Sequence, residues 1–292
     1  MGCDKRAEGE PPPKQFQTSL AGKPTVLFLM FGERSDPRLL PVATIGHGRI
    51  SPITLDANGW RSFDQLYFKA GSEVAIYQDG RSLGNAVIRR GMWEGNDPLY
   101  KLPGCKALRP LAAATLADGP TSASIELLGT SDPLPATSSQ SPIEKADEDS
   151  ARAVATRAGP LGGLTAGDQT DLDLSVRAIR TGATAKPTLV AAFMERGGGG
   201  AGRQRHLFVI ADADASRGGY APTFTHTGRD SVPEFLRLID HADITGEGVD
   251  EIILEGWRVG GDSYLIIMGF QNGRWHELAR GANNWCADPP KQ

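Results

Sequence analysis

The densest run of oxygen-bearing side chains in this chain is Asp243-Ile244-Thr245-Gly246-Glu247-Gly248-Val249-Asp250-Glu251. Oxygen donors at alternate positions, separated by glycines, let a short loop wrap a hard cation such as calcium, which takes roughly six to eight oxygens. The same residues also suit a metal-free turn whose carboxylates accept bonds from backbone N–H groups. Either way an apolar strand follows at Ile252-Ile253-Leu254. Gly261-Asp262-Ser263-Tyr264 offers a hydroxyl beside an acid, but hydrolysis needs a nucleophile, a base and an orienting acid within hydrogen-bond reach. His206, His226, His241 and His276 form no spaced pair. His226 between Thr225 and Thr227, and His241 beside Asp240, stand out, and surface or strand-edge positions are expected for both. The tryptophans Trp60, Trp93, Trp257, Trp275 and Trp285 suit sugar stacking, but core packing is the commoner role of those in strands. No catalytic residue is assigned.

The acidic stretch resembles the loop of FG-GAP and VCBS repeats, surface modules of integrins and bacterial envelope proteins. Carried onto this chain, the resemblance implies calcium ligands at Asp243, Thr245, Glu247, the carbonyl of Val249, and Glu251. Gly248 matches the turn glycine and Ile252-Ile253-Leu254 the strand that follows. Thr245 departs from the usual Asp or Asn, and Glu247 is one methylene longer than the usual Asp. The resemblance spans Ile239 to Trp275 and occurs once, so it does not imply a whole propeller, which needs several blades. Gly261-Asp262-Ser263 is also similar to the Gly-Asp-Ser of the GDSL esterases. In that family the serine lies early in the chain between a strand and a helix, whereas Ser263 falls late, between two expected strands.

Gly2-Cys3, followed by a polar stretch with Pro11-Pro12-Pro13, resembles the mature end of a bacterial envelope lipoprotein. That resemblance implies lipidation of Cys3 and a periplasmic or cell-surface location, membrane-associated only through the lipid. If Met1 is the true start, a cytoplasmic location is expected instead. Cys105, in Leu102-Pro103-Gly104-Cys105, and Cys286, after Asn283-Asn284-Trp285, have loop-like surroundings. In an oxidising compartment a Cys105–Cys286 disulfide is expected in preference to a metal site, the alternative being two buried thiols.

These residues need a scaffold, and the pattern is mainly β. Thr25 to Phe31 is a continuous apolar run between Pro24 and Gly32, the length of a buried strand. Short segments follow at Ile50–Leu55, Val74–Tyr77, Leu83–Ile88 and Ile125–Leu128. Asp79-Gly80 between two of them is a strong hairpin signal, as is Asn272-Gly273 further on. Asp56-Ala57-Asn58-Gly59 reads as a stop after the Ile50–Leu55 strand. Glu144–Ala158, rich in Ala, Glu and Arg, predicts one short helix, with Ser141 as its cap. Leu172 to Arg180 alternates apolar and polar residues as a half-solvated strand does. Further strands are expected at 189–194, 206–211, 235–239, 251–255, 264–270 and 275–278. The glycine cluster at 197–202 leads into a strand and not into Gly-Lys-Ser/Thr and a helix, so it reads as a hairpin loop. The expected organisation is a tether at 1–22, an antiparallel β part at 23–130, a Ser/Pro-rich linker with the helix at 131–168, and a second antiparallel β part at 169–288.

The chain has 292 residues, with 31 Lys and Arg against 35 Asp and Glu, a formal net charge of −4. That balance excludes a large basic field and with it nucleic acid as a partner. Three cysteines, 36 glycines and 20 prolines describe a turn-rich chain that still folds. The function expected is binding or interaction with a protein or carbohydrate partner at the envelope, calcium-stabilised if the loop holds its ion. The alternative is an envelope hydrolase whose catalytic residues converge only in the fold.

Overall fold

A computed structural model describes residues 22–91, 111–117, 119–135, 145–159, 165, 167, 172–195, 206–214, 216, 219–228, 234–258 and 263–281. The protein is mainly β, with three antiparallel sheets and two short helices among these residues. Cys3, Cys105, Cys286, Trp93, Trp285 and Ser141 all lie outside them, as do the lipidation and disulfide expectations.

The first seven strands are β1 (Thr25–Glu33), β2 (Arg38–Gly46), β3 (Arg49–Pro52), β4 (Glu73–Gln78), β5 (Arg81–Gly91), β6 (Ala112–Leu116) and β7 (Ser124–Thr130). Their order is β1-β7-β4-β5-β6-β2-β3, and β1 also pairs with β2, so six of them close into a barrel. Closure leaves the barrel strands without a free edge, and β3 hangs on β2 as a hairpin.

Helix α1 (Ala57–Tyr67) lies where the sequence suggested a stop after a strand. Asp56 is its N-cap: Gly59 N–H donates to Asp56 Oδ1 at 2.7 Å. The residues that read as a stop after a strand therefore open a helix instead. Trp60, Phe63 and Tyr67 recur at helical spacing on one buried face and join Phe28, Met30, Val74, Ile76, Ile88 and Leu127 in the barrel core.

The second half contains β8 (Leu172–Ile179), β9 (Thr188–Glu195), β10 (His206–Asp214) and β11 (Gly219–Gly228), a four-stranded meander. It also contains β12 (Glu234–Ala242), β13 (Glu251–Arg258), β14 (Ser263–Gln271) and β15 (Arg274–Arg280), a second meander. Strand alternation gives each sheet two apolar faces, which stack the molecule in layers. Leu27, Leu29, Leu40 and Val42 on the outside of the barrel meet Ile253, Leu265 and Ile267 of the β12–β15 sheet. The other face of that sheet, with Ile252, Leu254, Ile266 and Met268, packs on Val190, Phe208 and Ile210. The far face of the β8–β11 sheet is covered by α2 (Lys145–Ala158) through Ala151, Val154, Ala155 and Ala158. The helix placed in the linker thus forms the outermost layer.

One buried polar cluster ties the two meanders together. Asp212, 2 % exposed, accepts from Thr188 Oγ1 at 2.6 Å, Thr223 Oγ1 at 2.5 Å and Trp275 Nε1 at 2.8 Å. Three donors offset the desolvation of a carboxylate that would otherwise not be tolerated there. Arg237 does similar work at the other boundary, with a bidentate contact to Glu126 of β7 at 2.7 Å and a 2.5 Å bond to Glu255.

Candidate functional site

The barrel and the β12–β15 sheet meet at the β4–β5 turn. Gln78 pairs with Arg81, leaving Asp79 and Gly80 as a two-residue loop with φ of 49° and 69°, the left-handed pair of a type I′ turn. Gly80 is required there for a second reason. A Cβ on it would lie 2.8 Å from Asp250 Oδ2 and 2.9 Å from His241 Cε1, so the turn is pressed against those two side chains.

On the opposite side, β12 carries a bulge. Leu238 pairs with Leu254 but Asp240 with Ile253, so Ile239 is an extra residue. Alternation would send residues 236, 238, 240 and 242 to one face. The bulge reverses it after Leu238, which packs on the β8–β11 side, so that Asp240 opposes Ile253, a residue of the barrel-facing layer. Asp240 Oδ1 then accepts from the backbone N–H of Asp79 at 2.8 Å and of His241 at 2.7 Å. Its burial, 4 % exposed, pushes its pKa up to about 6 against the pull of those two N–H groups.

Of the two positions expected for His241, surface or strand edge, the first is wrong and the second holds: it is 3 % exposed, on β12, the outer strand of its sheet. The reason is its partner: Nδ1 and Asp250 Oδ2 are 2.6 Å apart in a buried pair. Asp79, Asp240 and His241 each offer a ligand atom within 4.8 Å of the others. Arg177 of β8 reaches Asp79 Oδ1 at 2.7 Å from an exposed position. Above the group opens a cleft of about 440 Å³, lined by Gln78, Asp79, Arg81, Leu83, Glu148, Arg177 to Arg180 and His241. It therefore draws on the barrel, both meanders and α2.

The acidic loop lies between β12 and β13, and its two outermost carboxylates are engaged by the loop itself. Asp243 accepts from Gly246 N at 2.9 Å and Gly248 N at 3.0 Å. Glu251 accepts from Ile244 N at 2.8 Å, Thr245 N at 3.2 Å and Thr245 Oγ1 at 2.7 Å. Gly246 and Gly248 have φ of 77° and 83°, the left-handed conformation the turn needs. This is the geometry of the Asx-type turn, in which both buried acids cap backbone N–H groups. Burial raises the pKa of Glu251, opposed by the Thr245 hydroxyl and the two N–H groups. Thr245, Glu247, Val249 and Glu251 share a second cleft of about 330 Å³ with Gly48 to Ser51 and Gly269 to Gln271. Asp243 is not among its lining residues.

Ser263 opens β14 and donates to Glu255 Oε1 at 2.6 Å. His206 Nδ1 is 2.9 Å from the Phe193 carbonyl, and Leu236 N–H donates to its Nε2 at 2.9 Å, which fixes a neutral ring. Burial accordingly drops its pKa to about 4. His226 Nε2 is 3.0 Å from the Glu234 carbonyl. Trp60 and Trp275 are buried in cores, and Trp257 stacks on Phe235. Asp79, Arg177 and Asp250 were not singled out as site residues from the sequence. The one local signal was the adjacent pair Asp240-His241, beside a hairpin turn whose docking place only the fold reveals. No protein-family model, curated protein or solved structure matches this chain.

Proposed function

We propose that this chain is a binding protein of the cell envelope and that the cleft where the barrel meets the two meanders holds its ligand. The observation that carries the reading is the lining of that cleft. Arg81, Arg177, Arg180, Glu148 and Asp79 make it charged, and no Ser, Thr or Cys stands among the described residues that line it. A His–Asp pair without a side-chain nucleophile beside it is poorly equipped for acyl transfer through a covalent intermediate, which weighs against that form of the hydrolase alternative. Exposed large apolar side chains among the described residues are limited to Leu66 and Val87, so an apolar docking patch has little support. A polar, charged ligand such as an acidic carbohydrate or peptide fits best. The envelope assignment rests on Gly2-Cys3 and the polar stretch after it, and Cys3→Ser should abolish membrane association in fractionated cells.

The binding reading is tested with a panel of carboxylated, sulfated and neutral oligosaccharides and acidic peptides, read by isothermal titration. Binding by the wild type that weakens about tenfold or more in Arg81→Ala supports the cleft; binding that Arg81→Ala leaves unchanged, or none across the panel, overturns it.

The calcium-stabilised form of the reading assigns the ion to Asp243, Thr245, Glu247, Val249 and Glu251. Its support is that four of these residues line one cleft. Binding would require Glu251 to exchange the Thr245 contacts for the ion.

A further inference from the structure

Asp240 and His241 are each more than nine-tenths buried, yet neither has all its polar atoms engaged. Asp240 takes both its backbone N–H bonds on Oδ1, and Oδ2 has no partner among the described residues. Asp250 occupies Nδ1 of His241, which leaves Nε2 without a protein partner among the described residues, on a side chain that lines the cleft. Asp79 projects from the β4–β5 turn into the same group and holds Arg177 through Oδ1 only.

We infer that Asp79, Asp240 and His241 form a binding site for a divalent first-row transition-metal ion such as zinc, with the remaining coordination positions facing the cleft. The inference rests on the cleft being a ligand site and names the inorganic part of what it takes. A mixed nitrogen and oxygen donor set suits zinc and its neighbours, whereas calcium takes oxygen alone. Three protein donors with an open side is the arrangement of a metal that also holds a second ligand. Asp250 behind His241 supplies the other half of the design. A carboxylate on one imidazole nitrogen fixes the tautomer, orients the ring and makes the other nitrogen a better donor. The turn and the bulge hold the carboxylates in place, because Asp79 is tied by its own N–H to Asp240. Arg177 is the competitor. It is about half exposed and bonds Asp79, so a bound cation replaces it there.

The test uses the full chain without a histidine tag, stripped with chelator and titrated with Zn²⁺, Co²⁺ and Ca²⁺ alone. The expected result is one Zn²⁺ per chain, visible d–d absorption with Co²⁺, and weaker Ca²⁺ binding. Asp79→Asn, at an exposed turn position where Asn tolerates positive φ, should lower zinc affinity about tenfold or more. Arg177→Ala, also exposed, should raise it several-fold by freeing Asp79. His241→Gln should lose more, and if it fails to fold the other two variants carry the test. Absence of zinc binding at micromolar concentrations, or zinc affinity unmoved in both Asp79→Asn and Arg177→Ala, overturns the inference. No organic ligand is in the cell, so such a result removes the metal and leaves the binding reading to the oligosaccharide and peptide panel.

Discussion

His206 sits between two sheets with both ring nitrogens engaged, one on the Phe193 carbonyl and one on the Leu236 N–H. Its pKa of about 4 lies below the ordinary value of 6.5, so between those values the unfolded chain takes up a proton the folded chain refuses. Its contribution to stability is complete above pH 6.5 and is lost as pH falls towards 4, on the order of 3 kcal/mol. Asp240 pulls the other way. Raised to about 6 from 3.8, it holds a proton in the folded state that the unfolded chain has released, so its share of stability grows as pH falls across that window. The two slopes partly cancel in the wild type, and the His206 effect is read against a variant. His206→Gln should be less stable than wild type in urea at pH 7.5, with the gap narrowing towards pH 4. A gap independent of pH would mean that His206 titrates alike in both states.

At the scale of the element, two glycines with nearly the same backbone separate conformation from contact. Gly80 and Gly273 have φ of 69° and 76°, but only Gly80 has neighbours within 4 Å of a Cβ. Gly273→Ala should cost about 1 kcal/mol, the strain of positive φ alone, and Gly80→Ala at least about 1 kcal/mol more in chemical denaturation. Equal losses would show that the turn is not pressed against His241 and Asp250. The β12–β13 loop gives a second comparison. Asp243→Ala leaves Gly246 and Gly248 N–H without their acceptor and should cost about 1–3 kcal/mol with or without calcium. In zinc-free protein the Asx-turn geometry predicts a wild-type Tm that millimolar calcium does not move, while a rise with calcium, lost in Asp243→Ala, would establish the ion in the loop.

For the molecule as a whole, the expectation is one unfolding transition. The cluster joining the barrel to the β12–β15 sheet contains Leu27, Leu29, Leu40 and Val42, each under 5 % exposed, so neither half has a water-compatible surface by itself. Residues 23–135 produced alone should aggregate, and two separate calorimetric transitions would contradict this account. The same cluster explains what was legible in the sequence. Runs such as Val26–Met30 and Tyr264–Met268 are apolar at every position because both faces of those strands are covered, and they declare themselves as strands. The hairpins Asp79-Gly80 and Asn272-Gly273 follow from positive φ and need no tertiary information. Polar β11, with Thr223, Thr225 and Thr227, carries no such signal, and α1 was masked because its Asp56-Ala57-Asn58-Gly59 cap is spelled like a turn. The acidic loop was found from local spacing, since its partners lie within nine residues. The Asp79, Asp240 and His241 group was not. It depends on a bulge that reverses the face of Asp240 and on a turn about 160 residues away in the chain.

If the ligand enters the cleft between the barrel and the meanders, amide chemical-shift mapping will locate it there. Isotope-labelled full chain is titrated with the acidic oligosaccharide or peptide that binds best, with and without Zn²⁺. The expected perturbations cluster at residues 78–83, 148, 177–180 and 240–241 and weaken in Arg81→Ala. Perturbations centred instead on residues 245–251 and 269–271, or none near 78–83, would contradict it.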